Sequence, residues 1–136
     1  MSLGWAVFIM LVIILAAFFR GLRYSSLMEA EHRIPVSEIE LINFKISHPC
    51  VFSPRLIARV RNKSGQYTLT EIALQITMLD CVNDDCDVLG RRDELIWIEV
   101  PPGQERDVVE YVHISNTRQP SGKISWQYKI LYATGR

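Results

Sequence analysis

Lys123–Tyr132 reads KISWQYKILY. In an extended chain Ile124, Trp126, Tyr128 and Ile130 fall on one side, and Ser125, Gln127, Lys129 and Leu131 on the other. Successive side chains of a strand point to opposite faces, so period two marks a strand with one face on a core. An α-helix would spread the same residues around its circumference. This segment therefore commits the C-terminal part of the chain to β structure and requires partner strands.

Those partners are found by moving toward the N-terminus. Asp107–Ile114 places Val108, Val112 and Ile114 on one face, and it follows a Pro101-Pro102-Gly103 turn. Glu94–Val100 is rich in β-branched and aromatic residues. Thr68–Asp80 aligns Ile72, Leu74, Ile76 and Met78. A helix over Leu69–Leu79 competes with this reading, but the alternation and the β-branched residues favour a strand. Arg55–Arg61 sets Leu56, Ala58 and Val60 against Arg55, Ile57, Arg59 and Arg61, and Asn62-Lys63-Ser64-Gly65 is a turn. Glu38–Ile46 groups Ile42, Phe44 and Ile46 opposite Asn43 and Lys45. Cys81–Gly90 reads as an acidic loop with room for a short strand at Val88-Leu89. Six or seven short strands with turn signals every ~8–15 residues predict an all-β fold, a small antiparallel immunoglobulin-like β-sandwich. No helical pattern alternates with the strands, which argues against an α/β enzyme.

At the other end Gly4–Phe19, GWAVFIMLVIILAAFF, carries no charged side chain. A bilayer core needs about 20 mainly apolar helical residues, with about 17 near the lower limit. Trp5 and Tyr24 bracket the span as interfacial aromatic residues do, and Arg20 and Arg23 can reach headgroups. A cleaved signal peptide would need a basic start and a small-x-small site, and neither is present. The sequence predicts a single transmembrane anchor over residues 1–24, a polar stalk over 25–35 and a β-sandwich domain over 36–136. Arg20 and Arg23 follow the span and favour a cytoplasmic domain by the positive-inside bias. A paired set of cysteines would favour an exported one.

Composition narrows the function. The chain has 136 residues, with 15 Lys+Arg against 15 Asp+Glu. No net field steers nucleic acid. Of the three cysteines, Cys81 and Cys86 flank one tight segment and are expected as a disulfide, while Cys50 is expected as a buried small hydrophobe. Asp80, Asp84, Asp85 and Asp87 do not follow the EF-hand spacing and read as a solvated acidic loop. His32, His48 and His113 have no partner at metal-ligand spacing. No nucleophile elbow, zinc-protease or phosphate-loop motif occurs. Neither a metal nor a cofactor is expected, nor a small-molecule substrate. Asn62-x-Ser64 matches a glycosylation sequon but also makes an ordinary turn, which is the reading preferred. Trp97, Trp126, Tyr111 and Tyr128 are expected in core packing. Arg55, Arg59 and Arg61 form a basic outward stripe, either a solvated face or a dock for an acidic partner.

Certain residues resemble a known family. Arg59-Val60-Arg61-Asn62-Lys63-Ser64 leads into a strand ending Ile76-Thr77-Met78-Leu79-Asp80, and a Pro102-Gly103-Gln104 turn follows the next apolar strand. This is similar to the FxLYD-type β-sandwich domains of bacterial exported and membrane-anchored proteins. Ile76, Met78 and Leu79 stand where that signature has Phe, Leu and Tyr, and Asp80 matches it. The resemblance spans Ser37 to Tyr132. It implies a small binding or structural domain on the periplasmic side of a bacterial inner membrane, and it carries no catalytic residue. The function expected is that of a non-enzymatic accessory or assembly subunit, contacting the bilayer and another integral membrane protein. The alternative is a ligand- or metal-delivery module using the sandwich rim and the Cys81/Cys86 loop.

Overall fold

In the computed structural model the described residues are Ile14, 32–47, 54–115 and 118–136. Seven strands follow in order: β1 (His32–Ile34), β2 (Ile39–Ser47), β3 (Arg55–Asn62), β4 (Leu69–Val82), β5 (Asp85–Val100), β6 (Glu105–Tyr111) and β7 (Lys123–Gly135). A single 3-10 turn, Val36–Glu38, lies between the first two. The strands make two antiparallel sheets. One has the order β1-β7-β4-β5 and the other β2-β3-β6. The all-β architecture expected from the alternation is present.

The expected anchor over residues 1–24 lies outside the described residues apart from Ile14, and with it Trp5, Arg20, Arg23 and Tyr24. Among the described residues no helix is long and apolar enough to cross a membrane. His32–Arg136 forms one unit and Met1–Glu31 another. His32–Ile34, assigned to the stalk by sequence, pairs with Ala133–Gly135 as strand β1. Pro35 follows it, and having no N–H to donate, proline does not extend a ladder. The 3-10 turn then passes the chain to the second sheet.

The inner faces of the two sheets share one core. Leu56, Ala58 and Val60 of β3 face Ile72, Leu74 and Ile76 of β4, joined by Leu69, Ile96, Val100, Val108 and Val112. Leu56, Val60, Ile72, Leu74 and Ile76 are fully buried, as their period-two spacing predicts. Burial of each such side chain is worth about 1.5–3 kcal/mol.

In β2 the alternation misleads. Leu41 pairs with Val60 and Ile42 with Arg59, but Lys45 pairs with Ile57 and Ile46 with Leu56. One extra residue is accommodated between Ile42 and Lys45, and Asn43 there adopts φ +54°. Asn tolerates this left-handed conformation better than most residues because its short amide can bond locally. The bulge reverses the alternation. Ile39 and Leu41 enter the core before it, Phe44 and Ile46 pack against the core after it, and Ile42 turns to the Arg59 side.

Asn62 ends β3 and is fully buried. Its side-chain amide donates to the carbonyls of Tyr67 (2.7 Å) and Val100 (2.9 Å), and its Oδ1 accepts the Ser64 N–H at 3.0 Å. Its backbone N–H donates to the Gln104 carbonyl and its own carbonyl accepts the Gly103 N–H. Gln104 N–H in turn donates to Pro101 O, closing a turn in which Gly103 has φ +70°, the position that asks for glycine in a type II turn. The Asn62 amide nitrogen is spent on two core carbonyls and is closed to glycan attachment. Asn62→Ala should lower unfolding free energy by about 2–4 kcal/mol, because two carbonyls and an N–H lose their partners. Asn62→Asp keeps the shape but turns a carboxylate toward the carbonyls of Tyr67 and Val100, so its loss should grow as pH rises. Urea unfolding of both variants checks this, and an unmoved midpoint for Asn62→Ala would refute the bridging role.

Candidate functional site

The expected acidic loop Cys81–Gly90 is instead the tip of a continuous hairpin. β4 runs to Val82 and β5 starts at Asp85, leaving Asn83 and Asp84 as a two-residue turn with φ of +50° and +67°. Positive φ at both central residues marks the primed turn whose twist matches the strands it joins. Cys81 pairs directly with Cys86, and the two are disulfide-bonded with Cα atoms 4.1 Å apart. Sequence reading missed the hairpin because four aspartates in eight residues look solvated, whereas backbone pairing carries them along the ladder. The signal available was the cysteine pair symmetric about Asn83-Asp84.

Next to this hairpin Asp80 is buried. Its Oδ2 accepts the Ser121 N–H at 2.8 Å and an Arg118 guanidinium N–H at 2.7 Å, while Oδ1 accepts the Gly122 N–H at 2.7 Å. The Ser121 N–H, with Arg118 beside it, holds the Asp80 carboxyl below the ordinary value of 3.8. Gly122 lies so close to the Cys81 carbonyl that a Cβ would collide with it. Arg118 also approaches Asp87 at 3.7 Å. The resulting cleft, about 420 Å³, is lined by Asp80, Asn83, Asp85, Asp87, Arg118 and others. Asp80 is committed to the loop that leads into β7, so the arrangement clamps that loop. Among the described residues no three His, Cys, Asp or Glu side chains gather as for a metal ion. His48 and Cys50 lie outside the described residues, and His113 is exposed in the segment after β6.

The arginine stripe lies on the outer face of the three-stranded sheet. Arg59 sits opposite Asp107 and donates to it through Nε at 2.7 Å. Arg61 sits opposite Glu105 on one side and Glu40 on the other, and pairs with both. Arg59 keeps the Asp107 carboxyl below its ordinary range, chiefly through the hydrogen bond. The stripe is thus part of an ion-pair ladder across β2, β3 and β6. Arg55 differs from both: its Nε is buried with no hydrogen-bond partner among the described residues.

The aromatic residues do not share one environment, which corrects the expectation of common core packing. Trp126 packs half-buried against the core, but Trp97 is 67% exposed and Tyr111 61%. Trp97 lies opposite Glu71 and Leu95 opposite Ala73, both on the outer face of β5, alternating with the buried Ile96 and Val100. Leu95 is likewise half exposed.

Asp80 gives a pH dependence with a defined sign. Its folded pKa lies below its unfolded one, so its stabilisation is full above about pH 4 and is lost as pH falls through the depressed folded value. Asp80→Asn should therefore lower the melting temperature at pH 7 and flatten the fall of stability below about pH 4. Asp107 keeps a second part of that fall. A variant whose acid limb superimposes on the parent would refute the clamp.

Compared with known proteins, the chain matches no family model, and no curated protein or solved structure is similar to it.

Proposed function

We propose that the chain is a single-pass, membrane-anchored accessory or assembly subunit, without enzymatic activity, whose β-domain contacts a neighbouring membrane protein. The observation that carries this reading is the exposed apolar pair Trp97 and Leu95 on the outer face of the four-stranded sheet. Such residues gain from burial against a partner, and aromatic anchors of this kind dominate binding energy at protein interfaces. The uncharged stretch Gly4–Phe19 supports membrane anchoring. Bonded Cys81 and Cys86 support a domain on the oxidising, periplasmic side of a bacterial inner membrane, as does the likeness to FxLYD-type domains.

Strand order supports the immunoglobulin-like description. With β2, β3 and β6 taken as strands A, B and E, β5, β4 and β7 take the places of C′, C and F, and β1 takes that of G. The arginine stripe, on the outer face of the other sheet, is a second and separate candidate contact surface. Arg55 is its leading candidate there, because Arg59 and Arg61 are already paired within the sheet.

Two measurements test the proposal. Alkaline phosphatase fused after Arg136 should be active and a cytoplasmic reporter inactive; the reverse pattern would overturn the periplasmic placement. Full-length chain purified in detergent from its native membrane should bring down a companion in fixed ratio. Trp97→Ser with Leu95→Ser should reduce that recovery, with stability within about 0.5 kcal/mol because both are exposed. Unchanged recovery would remove this face from the contact, and turnover of a substrate by the purified chain would overturn the non-enzymatic reading.

A further inference from the structure

The register across the four-stranded sheet sets four side chains in one row on its outer face. Arg33 of β1 lies opposite Thr134 of β7, Thr134 opposite Glu71 of β4, and Glu71 opposite Trp97 of β5. Directly opposed side chains of this kind stand about 4.5–5.5 Å apart at Cβ. Glu71 is only 8% exposed, and among the described residues its carboxylate has neither a hydrogen bond nor an ion pair. On one side of it the Thr134 Oγ1 is buried and likewise without a hydrogen-bond partner. On the other side the Trp97 ring stands in solvent.

The cation already in the row is not spent on Glu71. The Arg33 guanidinium lies 5.2 Å from the centre of the Tyr132 ring instead. A carboxylate withdrawn from water is costly unless a cation or hydrogen-bond donors meet it. The outer face of β5 carries the same charge as Glu71. Asp93 and Glu99 flank Leu95 and Trp97 in the alternation. Asp93 accepts from the neutral Gln75 amide at 3.1 Å, and Glu99 has Arg136 at 3.5 Å.

We propose that Trp97 and Glu71 form a subsite for an arginine side chain of the partner protein, its guanidinium stacked on the indole and forked onto the Glu71 carboxylate. Arginine suits the pair better than lysine. Its planar guanidinium stacks on an aromatic face and matches a carboxylate with two parallel N–H groups, whereas an ammonium is a strongly hydrated point charge. An aliphatic residue beside that arginine covers Leu95. Once the partner excludes water, the charge pair is worth more than it would be in solvent. An acidic partner would meet Glu71, Asp93 and Glu99 with like charge. A second copy could offer Arg55, but that residue lies on the outer face of the other sheet. Such a contact joins two different surfaces and grows into open chains unless its rotation closes, which disfavours a second copy as the occupant.

This inference rests on the reading of the Trp97 face as the partner contact and names the chemistry that face takes. The probe is a blocked tripeptide with arginine between two glycines. Its controls carry lysine, or the neutral isostere citrulline, in place of the arginine. Full-length chain in an uncharged maltoside detergent is titrated, and the Trp97 indole N–H is followed by NMR, assigned by its loss in Trp97→Phe. The arginine peptide should move that signal with a Kd of about 1–10 mM, the lysine peptide should bind more weakly, and the citrulline peptide should not bind. Glu71→Gln should weaken the arginine peptide by about tenfold. Trp97→Leu, followed at the Ala73 amide, should weaken it by about two- to fivefold. Glu71→Gln should also reduce recovery of the fixed-ratio companion. Equal shifts with arginine and citrulline, an unchanged Kd in Glu71→Gln, shifts confined to the other sheet, or no shift at about 30 mM peptide would overturn the proposal. Full recovery of the companion by Glu71→Gln would overturn it too. A Trp97 signal that moves on dilution before peptide is added gives the face to a second copy, and an equal shift in a phosphocholine detergent alone gives it to a lipid headgroup; either result overturns the partner assignment. Should the arginine peptide fail while the companion is still recovered, and still lost with Trp97→Ser and Leu95→Ser, only the arginine subsite falls. Should the companion fail as well, the contact reading falls with it.

Discussion

The side chain of Asn62 is the meeting point of three segments distant in sequence. β3 ends on it, the crossover to the other sheet turns around it through Ser64 and Tyr67, and β5 ends against it at Val100. The bonds to Val100 and Ser64 are buried and that to Tyr67 is partly so, and the amide supplies two donors and one acceptor at once. Asparagine is suited to this. An aspartate lacks the donors, and a serine lacks both the reach and the second donor. The position of one sheet over the other depends on this amide, because the β3–β4 connection is a place where the chain changes sheets.

How much of this was legible in the sequence varied with the element. β3 and β4 were plain, because Leu56, Ala58 and Val60, and then Ile72, Leu74 and Ile76, alternate without interruption and are buried as that predicts. β2 was half legible. Its bulge at Asn43 leaves no mark on the hydrophobic pattern, since Ile42, Phe44 and Ile46 look equivalent until an inserted residue changes the face. The outward turn of Trp97, by contrast, follows plain alternation with Ile96, Ile98 and Val100, and escapes sequence reading because a large aromatic residue is expected to be buried. Periodicity reports which side chains alternate. It does not report which partner residue stands opposite, and that is where register shifts act.

The candidate site was legible mainly through covalent and turn chemistry. Cys81 and Cys86 marked the hairpin, but the aspartates around them disguised a ladder as a loop. The clamp on Asp80 could not be foreseen, because its donors Arg118, Ser121 and Gly122 come from a segment some forty positions away (|i−j| of 38 to 42). The arginine stripe was visible on β3, whereas its carboxylate partners lie on two other strands and appear only once register is known.

The short strand β1 has a mechanical meaning. His32 lies opposite Gly135 in an antiparallel pair, so the start of the domain and the end of β7 are side by side at one pole. Tension between these two points loads the β1–β7 hydrogen bonds in series, as in a zipper, and not in parallel as in shear. Only three residues resist it before Pro35 and the turn to β2. A load entering the domain at His32 would peel away β1 first and leave the disulfide-tied hairpin at Cys81–Cys86 and the β3–β4 core assembled, making this strand the fuse of the fold.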